Sequence, residues 1–296
     1  MIDAGIISNT EQCPPKFSHP TFAVDTEPDD MAYVSLSKRD INVLEKIKDP
    51  ESDPSSALQI DPSLPKDPNV KDQHVLDHIS SRERDIILSI QALEQQGMRA
   101  ASAGASQFDM VEGYLKAVSE LDRLVEEHPE YASARNNRAQ AVRRLCGDSM
   151  LVQGAPQHPP PLLRDMDDAQ RMELADTALS DLDRAISLLT PAQPSSRFSP
   201  QVARTLAMAH TQRAAIYHMT SKLVESHPLS VRAGRREASW AKLDFEENAS
   251  RDFAMGGRYG NEIAKGLAVS TNPTAKLCGQ MVRQAMKKEY GPDYEP

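Results

Sequence analysis

Aromatic residues make up only 5% of the 296 residues, while prolines number 21 and crowd the first 75 positions and two interior stretches. The ordered part must therefore be smaller than the chain. Only three cysteines occur, Cys13, Cys146 and Cys278, far apart and without CxxC or Cys/His spacing. That pattern argues against a zinc site or a disulfide framework and fits a reduced compartment. No apolar run is long enough to cross a bilayer. Met1-Ile2-Asp3-Ala4-Gly5 shows no basic segment followed by an apolar one, so no secretory signal is read. The expected location is cytoplasmic or nucleocytoplasmic, with no membrane partner. A concentrated basic face is also missing. Net charge is −9, and 17 acidic against 9 basic residues precede position 86. The remainder is nearly neutral with both signs mixed, which argues against a nucleic-acid partner. Gly256-Gly257-Arg258-Tyr259-Gly260 has the wrong spacing for a phosphate loop and follows a helical pattern rather than a strand. No cofactor is implied.

What is present is helical periodicity. Residues 1 to about 40 carry Pro14-Pro15 and Glu27-Pro28-Asp29-Asp30 with little apolar content, and read as disordered. A short amphipathic helix is expected over 41–49, ended by Pro50, and 50–72 reads as linker. From 73 onward apolar residues recur at helical spacing. Helices are expected to Ala103, over 110–127, 131–146, 168–189, 199–221, 239–255, 259–268 and 274–289. Ser199-Pro200 and Asn272-Pro273 each place a capping side chain before a first-turn proline. Gly256-Gly257 reads as a helix end. The fold class is all-α, with consecutive short helices forming antiparallel pairs.

These helices share a repeat. The tetratricopeptide pattern sets a small residue in helix A, a small residue early in helix B, a large apolar residue four later and a proline after the helix. Gly97, Ala117, Leu121 and Pro129 supply it first, over about 91–129. Ala139, Ala178, Leu182, Ala185 and Pro191 supply it second, over 131–191. Ala214 and Tyr217, then Ala241 and Phe245, supply it third, over 200–257. Small residues let backbones approach, and about three pairs must stack to bury a continuous core. Excess length falls in two insertions, 149–167 and 222–238, both at A–B turns and hence on one edge.

The chain resembles the tetratricopeptide repeat protein 36 family. The likeness is carried by Leu93-Glu94-Gln95-Gln96-Gly97, by Ala132-Ser133-Ala134-Arg135-Asn136-Asn137-Arg138-Ala139-Gln140-Ala141, by Ala178 to Ile186, and by Asn272-Pro273-Thr274-Ala275-Lys276-Leu277-Cys278 with Met281. The resemblance implies a right-handed superhelix of three helix pairs with C-terminal capping helices over 259–290. It also implies an adaptor connected with heat-shock chaperones and with tyrosine breakdown.

In such a fold the A helices line a groove. A carboxylate clamp for acidic chaperone tails needs Lys and Asn in the first A helix, Asn in the second, and Lys and Arg in the third. Glu94, Met98, Asn137, Met208 and Gln212 stand at those positions, so only Asn137 fits. Asn137 could contact a peptide backbone or cap local structure. The candidate groove set is Glu94, Met98, Asn136, Asn137, Gln140, Met208 and Gln212, suited to a protein or peptide partner with an apolar anchor. Some of these, Met98 and Met208 above all, could simply pack between helices. His74 and His78 share a helix face without a third metal ligand, and His210 and His218 lack a nucleophile. Cys278 is expected to be buried. Pro159-Pro160-Pro161 reads as a stiff loop, and Arg232, Arg235 and Arg236 as a solvated cluster or an acidic-partner site. The sequence thus predicts a non-catalytic adaptor, with co-chaperone action through a non-clamp surface, or regulation of a tyrosine-catabolic enzyme, as alternatives.

Overall fold

A computed structural model describes residues 58–102, 108–155, 160–191 and 197–291. The expected helix over 41–49, the disorder expected before it and the stop at Gly104 lie outside these residues. The described helices are α1 (Gln73–Ser102), α2 (Phe108–Glu127), α3 (Ala132–Cys146), α4 (Asp168–Leu189), α5 (Pro200–Leu223), α6 (Lys242–Arg258), α7 (Glu262–Thr271) and α8 (Pro273–Tyr290), with a 3-10 turn at Arg236–Ser239. Among the described residues there are no strands, only two isolated bridges. The fold is an all-α helical repeat.

Helix starts follow from local chemistry. Asp167 accepts from the Gln170 N–H at 2.7 Å and opens α4. Ser199 accepts from the Val202 N–H, with Pro200 in the first turn of α5. Asn261 opens α7, and Asn272 opens α8 by accepting from the Thr274 and Ala275 N–H groups. Each cap satisfies amide groups that the helix itself leaves unpaired. Tyr131, at the start of α3, has no capping side chain. Asp67 supplies the missing acceptor from outside, taking the Ala132 N–H.

That contact corrects the linker reading of 50–72 for its described part, 58–72. Phe198 and Ile60 pair as a short parallel bridge, with the Asp61 N–H donating to Phe198 O at 2.8 Å and the Phe198 N–H to Gln59 O at 2.9 Å. The Asn69 amide donates to Leu188 O, a carbonyl left open at the end of α4. Leu58 and Val70 pack on the core. The segment is thus a strap joining the start of α3, the end of α4 and the start of α5. Proline and aspartate lend it a linker's composition, yet Asp67 and Asp72 accept from amides at the starts of α3 and α1.

Helices α1 and α2, α3 and α4, and α5 and α6 pack as pairs, and α7 packs on α6. α1 is longer than the repeat requires, because no proline or glycine interrupts it before Gly97, and its early residues Leu76, Ile79 and Ile86 are buried. Ala117, Leu121 and Leu124 are buried in the first pair, and Ala178, Leu182 and Ala185 in the second. The third pair departs from expectation. Ala241 lies outside α6 and is exposed. Ala249, Phe253 and Gly256 fill the small, large and small positions instead, all buried. Gly256-Gly257 therefore lies inside α6 and does not end it.

The two insertions meet on one edge. Val152 and Leu229 form an antiparallel bridge, with the Gln153 N–H donating to Pro228 O at 2.9 Å and the Ser230 N–H to Leu151 O at 2.8 Å. Arg235 is largely buried, whereas Arg232 and Arg236 remain solvent-exposed, and all three are engaged by acids of the same chain. They pair with Asp176, Asp183 and Glu237 and clamp the second insertion onto α4. Burial would raise the Glu237 carboxyl, but donors from Arg235 and Tyr217 outweigh it and hold it at about 2.

Two glycines test the packing. A Cβ on Gly256 would lie 2.5 Å from Thr211 Oγ1, 3.1 Å from Ala264 Cβ and 3.3 Å from Ala207 O. Gly266, mid-helix in α7, has open space around it. Gly266→Ala should leave stability unchanged or raise it by up to about 1 kcal/mol. Gly256→Ala should lower it by about 1–3 kcal/mol despite the same gain in helix propensity, through overpacking. Chemical denaturation distinguishes them; a stabilised Gly256→Ala would contradict the close crossing of α5, α6 and α7.

Candidate functional site

The A helices α1, α3 and α5 carry all seven candidate groove residues. The structure divides them into two groups. Asn136, Asn137 and Gln212 are buried and spend their polar atoms on one another and on the fold. The Gln212 amide donates to Asn136 Oδ1 at 2.9 Å. The Asn136 amide donates to Asn137 Oδ1 at 3.4 Å. The Asn137 amide donates to Glu83 Oε1 at 2.7 Å, and the Tyr131 hydroxyl to Glu83 Oε2 at 2.6 Å. Arg143 adds a bond to Gln212 Oε1 at 3.3 Å while paired with Asp148 at 2.6 Å. A chain of hydrogen bonds therefore runs from α1 through α3 to α5. Asn137 is neither free for a peptide backbone nor a local cap; it ties two A helices together.

Glu94, Met98, Gln140 and Met208 form the second group, on helix surfaces. Glu94 accepts from Arg144 Nε at 3.0 Å and from the Tyr114 hydroxyl at 2.5 Å. It is thus neutralised by its own chain. Gln140 and Met208 are half-buried, and Met98 is 63% exposed near the end of α1. Met98 is therefore not core packing, and an exposed thioether can adapt its shape to a ligand. Arg143 and Arg144, also on α3, were missed from sequence. Their signal was present: in the pattern that places Asn136, Asn137 and Gln140 on the groove side, they fall one turn further along.

Glu83 is the ladder's charged end and was also missed. It is buried, and burial, with a smaller push from the Asp67 carboxylate, raises its carboxyl above the ordinary value of 4.5 although Tyr131, Ser133 and Asn137 donate to it. Burial likewise raises the Tyr131 hydroxyl, with the Glu83 charge adding to the effect. Such a group reinforces the fold only while its polar partners are all present.

The remaining candidates separate cleanly. His74 and His78 are exposed on α1, and among the described residues no three His, Cys, Asp or Glu are grouped to hold a metal. His210 Nδ1 lies 2.8 Å from Asp252, which Arg213 also holds, and its ring stacks on Tyr259. His218 is pushed down to about 4 by burial and by Lys222 and Lys276. Cys278 is exposed, contrary to expectation, because α8 buries no residue; Cys146 is the buried thiol, raised to about 12 by burial. Beside Cys146, Pro160, Pro161, Leu163, Arg164 and Arg171 help line a cavity of about 330 Å³. No helix among the described residues is long and apolar enough to cross a membrane.

Comparison with known proteins gives a consistent picture. The chain is 36% identical over 257 residues to the L-tyrosine degradation gene cluster protein hmgX of Aspergillus fumigatus, covering 86% of this chain and 93% of that one. It is 31% identical over 195 residues to the tetratricopeptide repeat protein 36 of Mus musculus, covering 66% and 68%. It is 26% identical over 254 residues to the tetratricopeptide repeat protein 36 homolog of Drosophila melanogaster, covering 86% and 96%. No protein-family profile and no solved structure matches.

Two measurements follow from the ladder. Gln212→Ala and Asn136→Ala should each cost about 1–3 kcal/mol, since each strands a buried partner. The double variant should cost less than their sum, and strict additivity would break the link. The second concerns pH. Glu83 titrates higher in the fold than unfolded, so the native state holds its proton more tightly, and this group's contribution falls as pH rises above about 4.5 through the raised value. Glu237, at about 2 against 4.5, contributes above pH 4.5 and is lost as pH falls toward 2. Denaturation across pH should show the alkaline-side slope flattened by Glu83→Gln and the acid-side slope flattened by Glu237→Gln. Unchanged slopes would remove these groups from the account.

Proposed function

Because the chain belongs to the tetratricopeptide repeat protein 36 family, we propose that it is a non-catalytic adaptor whose A-helix groove holds a segment of a partner protein. The observation that carries this reading is the division among the groove residues. Asn136, Asn137 and Gln212 make a buried floor, so the A helices are held in fixed register before any ligand arrives. A preformed site binds without the cost of ordering itself. Above that floor stand Met98, Gln140, Arg143, Arg144 and Met208, a soft apolar and polar surface for an extended or helical segment. Only the floor residue Asn137 meets the clamp pattern, and its amide is engaged by Glu83. An acidic chaperone tail therefore has no cationic clamp to enter, and chaperone binding would need another surface.

A second reading concerns the client. The relative of Aspergillus fumigatus is named for a tyrosine-degradation gene cluster and matches over most of both chains. We infer that the partner held here is an enzyme of tyrosine breakdown, which this protein binds and regulates in the cytoplasm.

The test uses a groove variant that spares the floor. Met98→Asp with Met208→Asp should retain the parent's denaturation midpoint within about 1 kcal/mol of stability. Purified from cells grown on tyrosine, the tagged parent should bring down a tyrosine-catabolic enzyme, and the variant should lose at least about tenfold in affinity for it. Equal capture by both would move the site off the groove. A chain whose deletion leaves growth on tyrosine and the level of that enzyme unchanged would end the second reading.

A further inference from the structure

The last two helices present a surface that the groove reading does not use. α8 has 18 residues and buries none of them. A helix of that length is marginal in water on its own. α8 leans on the body through little more than its half-buried edge and the Lys276–Glu246 ion pair at 3.2 Å. Its other face is apolar and open: Leu277 is 57% exposed, Met281 61% and Val282 57%, with Cys278 exposed among them. The outward side of α7 adds Ile263 at 59% and Val269 at 67%. The last elements of a repeat stack ordinarily turn a polar face to water, and here they do not.

Two further observations limit what can cover this face. Between Ile263 and Val269 on α7 sits Gly266, whose missing side chain leaves space that no described residue fills. A mid-helix glycine costs about 1 kcal/mol relative to alanine. Packing among the described residues gives no return for it, whereas a second helix crossing there could approach backbone to backbone. Charge supplies the other limit. α8 carries Lys276, Arg283, Lys287 and Lys288 against the single acid Glu289, in a chain of net charge −9. A second copy would bring two such basic helices together, which disfavours self-pairing. A bilayer would take Glu289, and the one aromatic of α8, Tyr290, lies at the helix end eight residues beyond Val282, which is poor membrane chemistry.

We propose that the outward face of α7 and α8 docks an amphipathic helix with acidic flanks from a partner protein. The partner's apolar stripe lies over Leu277, Met281 and Val282 and crosses α7 at Gly266, while its acidic residues meet Arg283, Lys287 and Lys288. Both groove and end face can then be occupied at once.

The experiment is a selection on the full-length chain. Displayed amphipathic helices of about 20 residues carry a leucine and alanine face, with Glu, Gln or Lys allowed at the flanking positions. Glu should be enriched over Lys, and the selected peptides should bind less tightly as salt is raised. The double variant Leu277→Asp, Met281→Asp alters exposed side chains and should match the parent in helix content and denaturation midpoint. It should bind the selected peptides at least about tenfold more weakly. The peptides should also slow alkylation of Cys278. Failure to enrich any helix, enrichment without acidic bias, or equal binding by the double variant overturns the proposal. Dimerisation abolished by the double variant would give the face to a second copy. Loss of attachment to phosphatidylserine vesicles in that variant would give it to lipid. Either result also overturns it.

Discussion

Close approach of helix backbones at small residues is the constraint on which the structure rests. Ala117, Ala178 and Ala249 in the B helices, and Ala139 and Ala214 in the A helices, are all essentially without solvent exposure. Each lets a neighbouring helix come near enough for the large residues four positions on, Leu121, Leu182 and Phe253, to fill the space between pairs. Protein interiors are packed to crystal density, so a larger side chain at such a crossing must move a whole helix. Everything that follows, from the order of the A helices to the meeting of the insertions, depends on those separations.

Polar chemistry then fixes what packing leaves adjustable. Apolar contacts are non-directional and would tolerate sliding of one helix along another. The ladder from Tyr131 and Glu83 through Asn137 and Asn136 to Gln212 has a single register in which every donor meets an acceptor. Arg138 acts similarly on the other side, holding Asp181 at 2.5 Å and Asp122 at 2.7 Å, and Arg213 holds Asp252 and Asp183. Buried pairs of this kind contribute little net stability but are costly to break singly. Their consequence is a fixed register among the A helices, the rigidity on which the proposed partner site would draw.

Much of this architecture was legible because helix caps and alanine spacing are local signals. Ser199 and Asn272 announced α5 and α8, and Ala178-x-x-x-Leu182-x-x-Ala185 announced a crossing. The third repeat misled because Ala241-x-x-x-Phe245 and Ala249-x-x-x-Phe253 satisfy the same spacing. Only the second is followed three residues on by another small residue, Gly256, and that extra term decides the register. The strap over 58–72 and the role of Glu83 were not legible. Both depend on partners 48 or more residues away in the chain, which no local pattern encodes. Cys278 was misjudged because its helix resembles a packed capping helix in sequence, and burial is settled by what lies against a face rather than by the face itself. For the candidate groove set, residue type could not separate a buried residue such as Asn137 from a half-buried one such as Gln140.

The direct test of the account is amide hydrogen exchange on a chain carrying Ala178→Leu, compared with the parent. If small residues at the crossings hold the stack together, the amides of α3, α4 and α5 should all lose protection together in the variant. Loss of protection confined to α4, with α3 and α5 exchanging as in the parent, would contradict it.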